Sequence, residues 1–509
     1  MPRSWRVGLA IAGALVLLVV ISPLGYLISE IVGDPASAWR AARRASVWSL
    51  TARSLALAAA VTATALTLAT VLSWLVARTN LPGGRRWIVA LAMPLAIPSF
   101  LAAEAFRRSL GITGFTGAWM AMTLITFPYA LLPLEAAFRR CSIEQELAAR
   151  SLGTSAWETF RRATLPQVLP TLEWTGLLIA LYALSDYGAV AMLEVRVLTF
   201  AIESRRAEFD PAGAAALSGI LTLLALACLV GISRLRGARG AIVMDAQTES
   251  RFEAKRLRAW RWPAAGFCAA VTVMSVGLPL AMVINWWTQG LGHGDATVLS
   301  TLGPAASPAW RSLGAGLATA LIAAVASLPI VLIIHRVEYV KGSSWMRRLG
   351  GLALIGYGLP GVVIGFALVR ASLRLDIGLY QTLPLLLMGY AVKCVAEALG
   401  PASASARRLH PDRLDAAIGL GATFTRTWMR IGWPLIAPGV AAGAALAFLT
   451  VVKELPITLI LRPTGFDTLA FELFDMLNEA RHTTAAPMAL VILLISGAVV
   501  WGLIGSQRD

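Results

Sequence analysis

Long apolar stretches alternate with short polar ones along nearly the whole chain. Each apolar stretch is close to the length of about 20 residues that an α-helix needs to cross a bilayer. We therefore predict about twelve transmembrane helices, arranged as six followed by six. The first six are predicted near residues 7–30, 54–76, 87–105, 117–138, 171–192 and 212–233, and the second six near 263–287, 311–335, 349–371, 380–399, 438–461 and 484–505.

The composition agrees with a membrane class. Hydrophobic residues make up 57% of the chain and charged residues 14%, whereas a soluble domain carries about 25% charged residues. We therefore predict an all-α polytopic membrane protein. Residues 7–21 could be mistaken for a signal peptide, but no cleavage site of small residues stands out, so we interpret them as a retained first helix.

The formal charge of +16 is interpreted as an orientation signal and not as a nucleic-acid surface. With the N-terminus inside, 28 of the 44 Lys and Arg residues fall in cytoplasmic segments, as short cytoplasmic loops generally show. Both termini are therefore predicted to be cytoplasmic. An interfacial helix is our interpretation of the discordant stretch Trp39–Trp48, with a different topology as the alternative. The seven predicted cytoplasmic segments used for this count are 1–6, 77–87, 139–170, 234–262, 335–348, 400–437 and the C-terminal tail.

Two polar loops repeat each other at a constant offset of 268 residues. The offset relates Gly153 to Gly421 and Pro166 to Pro434, and it also relates Asp186 to Glu454. Such register indicates two homologous halves, which six spans each would insert in the same orientation as parallel repeats. We predict a first repeat at 1–233 with its loop at 139–170, a basic cytoplasmic linker at 234–262, and a second repeat at 263–509 with its loop at 400–437.

Each loop has alanines and leucines at helical spacing, then a glycine, then a second amphipathic helix closed by a proline. One such loop alone is typical of an interfacial helix on lipid headgroups. Two loops at equivalent places favour docking onto a two-fold partner in the cytoplasm.

These loops resemble the EAA loop of ABC importer permeases, which reads roughly EAA, three residues, Gly, nine residues, Ile, one residue, Leu-Pro. The second loop has Ile431 and then Trp433-Pro434 at the end of this pattern. The first loop departs at the acidic position, where Leu147 stands one residue after Glu146, and Ala163 replaces the Ile. The resemblance implies ATPase-coupling roles for Ala148, Ala149, Gly153, Pro166, Asp415, Ala416, Ala417, Gly421 and Pro434.

A narrower resemblance comes from Val451–Ala480 and Leu184–Ile202, which look like matching segments of fused, two-halved permeases of iron(III)-type importers. It implies a type I ABC importer (MetI-like) fold in the inner membrane. It further implies two copies of an ATP-binding subunit, which bind ATP and Mg²⁺, and an extracytoplasmic solute-binding protein. Iron(III) is the predicted solute, with thiamine, phosphonate or another small solute as alternatives. No cofactor is predicted in this chain, since it has no GxxxxGK[ST] loop.

Charged residues at membrane depth need a partner or a water path. Asp186, Lys453 and Glu454 are therefore candidates for the translocation path, the alternative being that the acids cap an unwound turn before Pro456. Lys393 and Glu397 have the i, i+4 spacing of a pair that neutralises itself on one helix.

Two rival functions agree less well with the sequence than a permease does. An ion-coupled secondary transporter also has twelve spans, but nothing in it requires paired glycine loops at a fixed offset. An intramembrane enzyme needs a nucleophile and base or metal ligands within the spans. The four histidines lie in loops or at span ends and the four cysteines show no CxxC spacing, so neither a catalytic nor a metal site is predicted.

Overall fold

The computed structural model describes residues 3–238, 255–292, 298–339, 355–376, 378–409 and 411–505. Within these residues, ten helices are long and apolar enough to cross a membrane, and one bent helix pair brings the number to eleven if it forms a single span. The protein is an all-α polytopic membrane protein, as predicted. Residues 340–354 and the tail after 505 lie outside the described ranges, as does most of the predicted linker.

The predicted first repeat contributes twelve α-helices in the described chain. They are α1 (Arg3–Gly33), α2 (Pro35–Ala42), α3 (Ala45–Arg78), α4 (Arg86–Ala92), α5 (Ser99–Leu110), α6 (Gly114–Arg140), α7 (Ile143–Ser151), α8 (Ala156–Thr159), α9 (Leu165–Ser185), α10 (Gly188–Met192), α11 (Leu198–Ala207) and α12 (Pro211–Ala238).

The helices after the linker follow in the same chain order. They are α13 (Arg261–Thr272), α14 (Leu278–Leu291), α15 (Val298–Tyr339), α16 (Ile355–Gly358), α17 (Gly361–Leu375), α18 (Leu383–Ala406), α19 (Pro411–Gly419), α20 (Phe424–Thr427), α21 (Trp433–Val452), α22 (Pro456–Leu461), α23 (Leu469–Asn478) and α24 (His482–Gly505).

The span predicted near 87–105 is wrong as a straight helix. The chain bends by 94° between Arg86–Ala96 and Ser99–Leu110. Ile97 has φ −93° and ψ 127°, the extended conformation that a following proline favours, and Pro98 then precedes α5. Pro360 stands in the same position before α17, with φ −62° and ψ 142°. Proline therefore sets where both helices begin.

Two further spans end earlier than predicted, at equivalent places. The span predicted at 171–192 ends as α9 at Ser185, and the span predicted at 438–461 ends as α21 at Val452. The short helices α10 and α22 then begin at Gly188 and Pro456, which are again 268 residues apart. Hydrophobicity alone could not place these breaks, because the residues on both sides are apolar.

The described chain forms two compact units, each of which mixes both predicted repeats. Unit 1 comprises residues 1–44, 202–222 and 295–492, and unit 2 comprises 45–201, 223–294 and 493–509. Each unit thus contains the first helix of one predicted repeat with the core helices of the other. These units are defined by which helices pack together. The predicted repeats are defined by duplication of the sequence, so the packing does not test their boundaries, which remain a prediction.

Unit 1 is built around α15, α18 and α21, and α1 packs against α15, α17 and α18. Glycine allows the closest helix approach: a Cβ at Gly439 would lie 2.4 Å from the Pro401 carbonyl oxygen, and one at Gly443 would lie 2.8 Å from the Ala398 carbonyl oxygen. This is the small-xxx-small pattern of tightly packed membrane helices. At the end of α1, Glu30 accepts a hydrogen bond from Arg370 of α17 at 3.0 Å.

Unit 2 has the corresponding core of α3, α6 and α9. Polar side chains join α3 to α6: Ser73 Oγ donates to the Leu131 carbonyl oxygen at 3.0 Å, and Trp119 Nε1 donates to Thr64 Oγ1 at 3.0 Å. Such bonds between helices satisfy polar groups that lipid cannot. The helices α13 and α14 pack within this unit against α4 and α5.

Candidate functional site

The two predicted coupling loops have the same backbone, element by element. In the first, α7 and α8 are followed by a π-helical turn at Phe160–Thr164 that runs into α9. In the second, α19 and α20 are followed by a π-helical turn at Trp428–Gly432 that runs into α21. Every start in the second loop is 268 residues after its counterpart. The duplication seen in the sequence is therefore also a duplication of local structure.

Gly153 and Gly421 end the first helix of each loop in the left-handed conformation, with φ +81° and +87°. The amides that follow the helix bond back identically: Gly153 N to the Arg150 oxygen and Gly421 N to the Ile418 oxygen, both at 2.9 Å. This is the helix end that glycine favours. A Cβ at either glycine would meet no described atom within 4 Å. Glycine is therefore favoured at both positions by the left-handed backbone conformation and not by close packing.

The other predicted coupling residues occupy matching positions. Ala148 and Ala416 are exposed, Ala149 and Ala417 are half-buried, and both Pro166 and Pro434 are exposed at the start of a long helix. Asp415 lies in α19, but its side chain is outside the described part of the structure.

Leu152 and Leu420 are loop residues that sequence reasoning missed. They immediately precede the two glycines, and their exposed fractions are 83% and 90%. Both leucines are thus apolar side chains that the described chain leaves unburied at equivalent places. The signal was available, since the same 268-residue offset relates the two leucines.

The first loop is attached to its own unit by an ion pair that the second loop does not repeat in sequence. Arg78, at the end of α3, contacts the Glu146 carboxylate of α7, and Thr164 donates to the same carboxylate at 2.8 Å. Leu414 stands at the position equivalent to Glu146. Glu146, which is adjacent to the vacant acidic position of the loop, therefore holds the loop internally.

We expect Glu146→Ala to destabilise the purified permease by about 3 kcal/mol, because it leaves the buried Arg78 guanidinium without its carboxylate. Glu144→Ala is the matched control: this exposed acid lies two residues earlier on α7, so its removal should change stability by less than about 0.5 kcal/mol. Denaturant unfolding in detergent measures both. Equal effects of the two substitutions would contradict the anchoring role of the ion pair.

The end of the predicted linker meets the same corner of unit 2. Lys255 N donates to the Arg78 carbonyl oxygen at 2.9 Å, and Asn80 N donates to the Lys255 oxygen at 3.2 Å. Nearby, burial raises the pKa of the Cys141 thiol to about 11, although the Arg78 charge acts in the opposite direction. Cys141 is consequently a neutral thiol at pH 7 beside the loop.

The acids predicted for the translocation path lie at the two helix breaks. Asp186 accepts a hydrogen bond from Ala189 N at 2.8 Å, so it caps the start of α10. Its counterpart Glu454 lies between α21 and α22 and contacts Lys393 Nζ at 2.6 Å. The structure thus gives Asp186 a local capping role, and Glu454 a partner on another helix.

Unit 1 also contains a cluster of buried charges of which unit 2 matches only Glu454, since Ile125 and Tyr129 stand at the positions equivalent to Lys393 and Glu397. The side chains of Lys393 and Glu454 are 24% and 5% exposed, and Glu397 accepts a hydrogen bond from Thr450 at 2.7 Å. The predicted pairing of Lys393 with Glu397 is therefore replaced by an ion pair across helices. Lys393 contacts Oε2 of Glu454. The other carboxylate oxygen, Oε1, has no hydrogen-bond partner among the described residues and faces Gly361, the first residue of α17.

Comparison with known proteins places these features in a family. The sequence profile described as "Binding-protein-dependent transport system inner membrane component" matches residues 84–237. The Fe(3+)-transport system permease protein FbpB 2 of Haemophilus influenzae is 30% identical over 455 residues, which are 89% of this chain and 88% of that protein.

Sulfate permeases match a smaller part of the chain. The probable sulfate transport system permease protein cysT of Nephroselmis olivacea is 25% identical over 46% of this chain and 90% of its own length. CysT of Escherichia coli is 24% identical over 34% of this chain and 70% of its own length. Together with the duplicated loops and the helical fold, these matches show that the chain belongs to the family of inner-membrane components of binding-protein-dependent transport systems, as a fused, two-halved ABC importer permease.

Proposed function

We propose that this chain is the permease of an ATP-driven importer that moves iron(III) into the cytoplasm. The observation that carries the proposal is the similarity to an Fe(3+)-transport permease over 89% of this chain and 88% of the relative. An extracytoplasmic binding protein delivers the solute, and both termini of the permease lie in the cytoplasm. Alternating access moves the solute, as the two repeats rock about their shared axis.

Two copies of a separate ATPase drive this motion, and they bind the ATP and Mg²⁺. The matching backbones of the two loops support this stoichiometry, because two copies of one ATPase would offer identical binding clefts to two coupling loops of the same structure. In each loop the helix end at Gly153 or Gly421 presents an exposed leucine to the cleft. Closure of the ATPase dimer pulls both loops together.

Asp186, Lys453 and Glu454 are proposed for the translocation path because they lie at the helix breaks. Discontinuous helices form solute and ion sites in other transporter folds, since unwound backbone can contact the solute directly. The helices that follow the two breaks begin at equivalent positions, Gly188 and Pro456.

Sulfate is the second candidate solute, because sulfate permeases match up to 46% of the chain. Thiamine and phosphonate remain alternatives on the sequence resemblance alone. Uptake of each radiolabelled solute in the same vesicles distinguishes iron(III) from sulfate.

The test is uptake into vesicles that contain the permease and its ATPase, with the binding protein added outside. We expect radioactive iron(III) to enter only with ATP inside and binding protein outside, and to be insensitive to an uncoupler. Uptake of radioactive sulfate and not of iron(III) would show that sulfate is the solute. Uptake that needs no ATP and stops when the uncoupler is added would show that the protein is an ion-coupled transporter and not an ATP-driven importer.

A further inference from the structure

A strongly exposed phenylalanine stands at the turn between α11 and α12. Phe209 is 93% exposed, and its φ of +56° lies in the left-handed region. Glycine is the usual residue at this position of a helix end. The chain therefore leaves a large apolar side chain almost wholly exposed, and it does so where the backbone conformation disfavours any side chain. Neither feature contributes to packing within the chain.

The second repeat builds the same turn with a different residue. Ala480, between α23 and α24, has φ +58°. Phe209 N bonds to the Arg206 oxygen and Ala480 N to the Leu477 oxygen, both at 3.2 Å. The next amides, of Asp210 and Arg481, bond five residues back at 2.9 Å in both turns. The backbone is thus duplicated, while the side chain at its tip is large in one repeat and a methyl group in the other.

Ion pairs and a helix cap hold the Phe209 turn in shape. Arg205 contacts Asp210 at 3.2 Å and Glu208 at 3.7 Å, one on each side of Phe209. Asp210 also accepts a hydrogen bond from Gly213 N at 2.9 Å, which caps the start of α12. The aromatic ring is consequently presented on a braced turn surrounded by charged groups.

We infer that Phe209 is the anchor by which the extracytoplasmic binding protein docks onto the first repeat. An aromatic side chain within a polar rim is the usual arrangement of an interface hot spot. The turn lies one span away from the first coupling loop along the chain, which places it on the extracytoplasmic side in the proposed topology. This inference rests on the proposed function, since it needs a binding protein as partner.

The difference between Phe209 and Ala480 gives the docking a direction. Two homologous repeats offer a binding protein two docking orientations related by the pseudo-two-fold axis. A pocket on one lobe that accepts Phe209 disfavours the reversed orientation, because Ala480 would leave that pocket unfilled and lose its binding energy. The binding protein then docks preferentially in one orientation.

A lipid surface fits the turn less well than a protein. Glu203, Glu208 and Asp210 outnumber Arg205 and Arg206 in this segment. Membrane-surface segments are instead rich in basic residues beside their apolar groups.

The test measures how much loaded binding protein gives half-maximal ATPase stimulation of the complete transporter in lipid nanodiscs. Phe209→Gly keeps the backbone conformation and removes the ring. We therefore expect half-maximal stimulation to need at least a tenfold higher concentration of loaded binding protein, with unchanged basal ATP hydrolysis. Ala480→Gly is the matched control and should change the concentration by less than twofold. Equal values for Phe209→Gly and wild type overturn the inference alone. Absence of stimulation in wild type overturns the proposed function and this inference with it.

Photocrosslinking identifies what contacts the ring. Phe209 is replaced by p-benzoylphenylalanine, and in a parallel variant the same residue replaces Ala480. We expect a crosslinked product with the binding protein from position 209 and not from position 480. Adducts with lipid only, products of equal yield from both positions, or no product at all overturn the inference.

Discussion

Leu420→Asp is expected to abolish the stimulation of ATP hydrolysis by loaded binding protein while the permease stays folded and inserted. The Leu420 side chain is 90% exposed at the tip of the second coupling loop, so it makes few contacts within the chain. In the proposed complex it fills an apolar pocket of the ATPase, where a carboxylate would be desolvated without a partner. Loss of such an anchor costs at least about 2 kcal/mol, or about 30-fold in affinity at that loop.

The controls for this prediction come from the loops themselves. Leu152→Asp should act in the same way on the first loop, because the two leucines occupy equivalent positions. Trp157→Thr gives the first loop the residue that the second carries at position 425, and it should leave coupling within about twofold. The measurements are ATPase co-purification and stimulated hydrolysis. Full stimulation in the double variant Leu152→Asp, Leu420→Asp would show that the leucines do not contact the ATPase.

The structure changes how a substitution of Gly421 is interpreted. We predict that Gly421→Asp leaves the protein inserted and removes the ATPase response. With φ +87° and open space around the Cβ position, such a variant strains the turn as well as altering the docking surface. Gly421→Asn separates the two causes, since asparagine tolerates the left-handed conformation. A response to binding protein that survives in Gly421→Asn but not in Gly421→Asp would assign the effect to charge at the interface.

The sequence predicted the loops well because their information is local. The spacing of Gly153, Pro166 and their counterparts lies within single loops, and a helix end needs only its own residues to form. The π-helical turn at Phe160–Thr164 was not predicted, because nothing in apolar periodicity distinguishes it from an α-helix. Leu152 and Leu420 were overlooked as ordinary apolar residues, and only their exposure makes them unusual.

Partners between helices could not be predicted in the same way. The hydrophobicity of α1 predicts a membrane span, but not that Glu30 at its end contacts Arg370 in the other predicted repeat. Lys393 and Glu397 satisfy the spacing of a pair on one helix, yet Lys393 contacts Glu454 from the break after α21. The 94° bend before α5 lies at Ile97–Pro98, and proline is too common in membrane helices for its presence to predict such a bend.

Lys393→Met is expected to destabilise the permease by about 3–5 kcal/mol, because it leaves the Glu454 carboxylate buried without its ion-pair partner. Glu454→Gln should cost less, since Lys393 then still has Glu397 one helical turn away on α18. The double variant Lys393→Met, Glu454→Gln should be more stable than Lys393→Met alone, because no unpaired carboxylate remains at the break. Denaturant unfolding of the purified protein measures all three. A control is Arg481→Met, which removes an exposed ion pair with Glu479 and should change stability by less than about 1 kcal/mol.

Transport by the double variant then separates a structural role of this ion pair from a role in the path. If Glu454 serves only to neutralise Lys393, the double variant should import solute at nearly the wild-type rate once it is folded. If its free oxygen contacts the passing solute, uptake should fall at least tenfold although stability is restored. We expect the second result, because Glu454 Oε1 has no hydrogen-bond partner among the described residues and lies where the helix is interrupted. Wild-type uptake by a stable double variant would remove Glu454 from the translocation path.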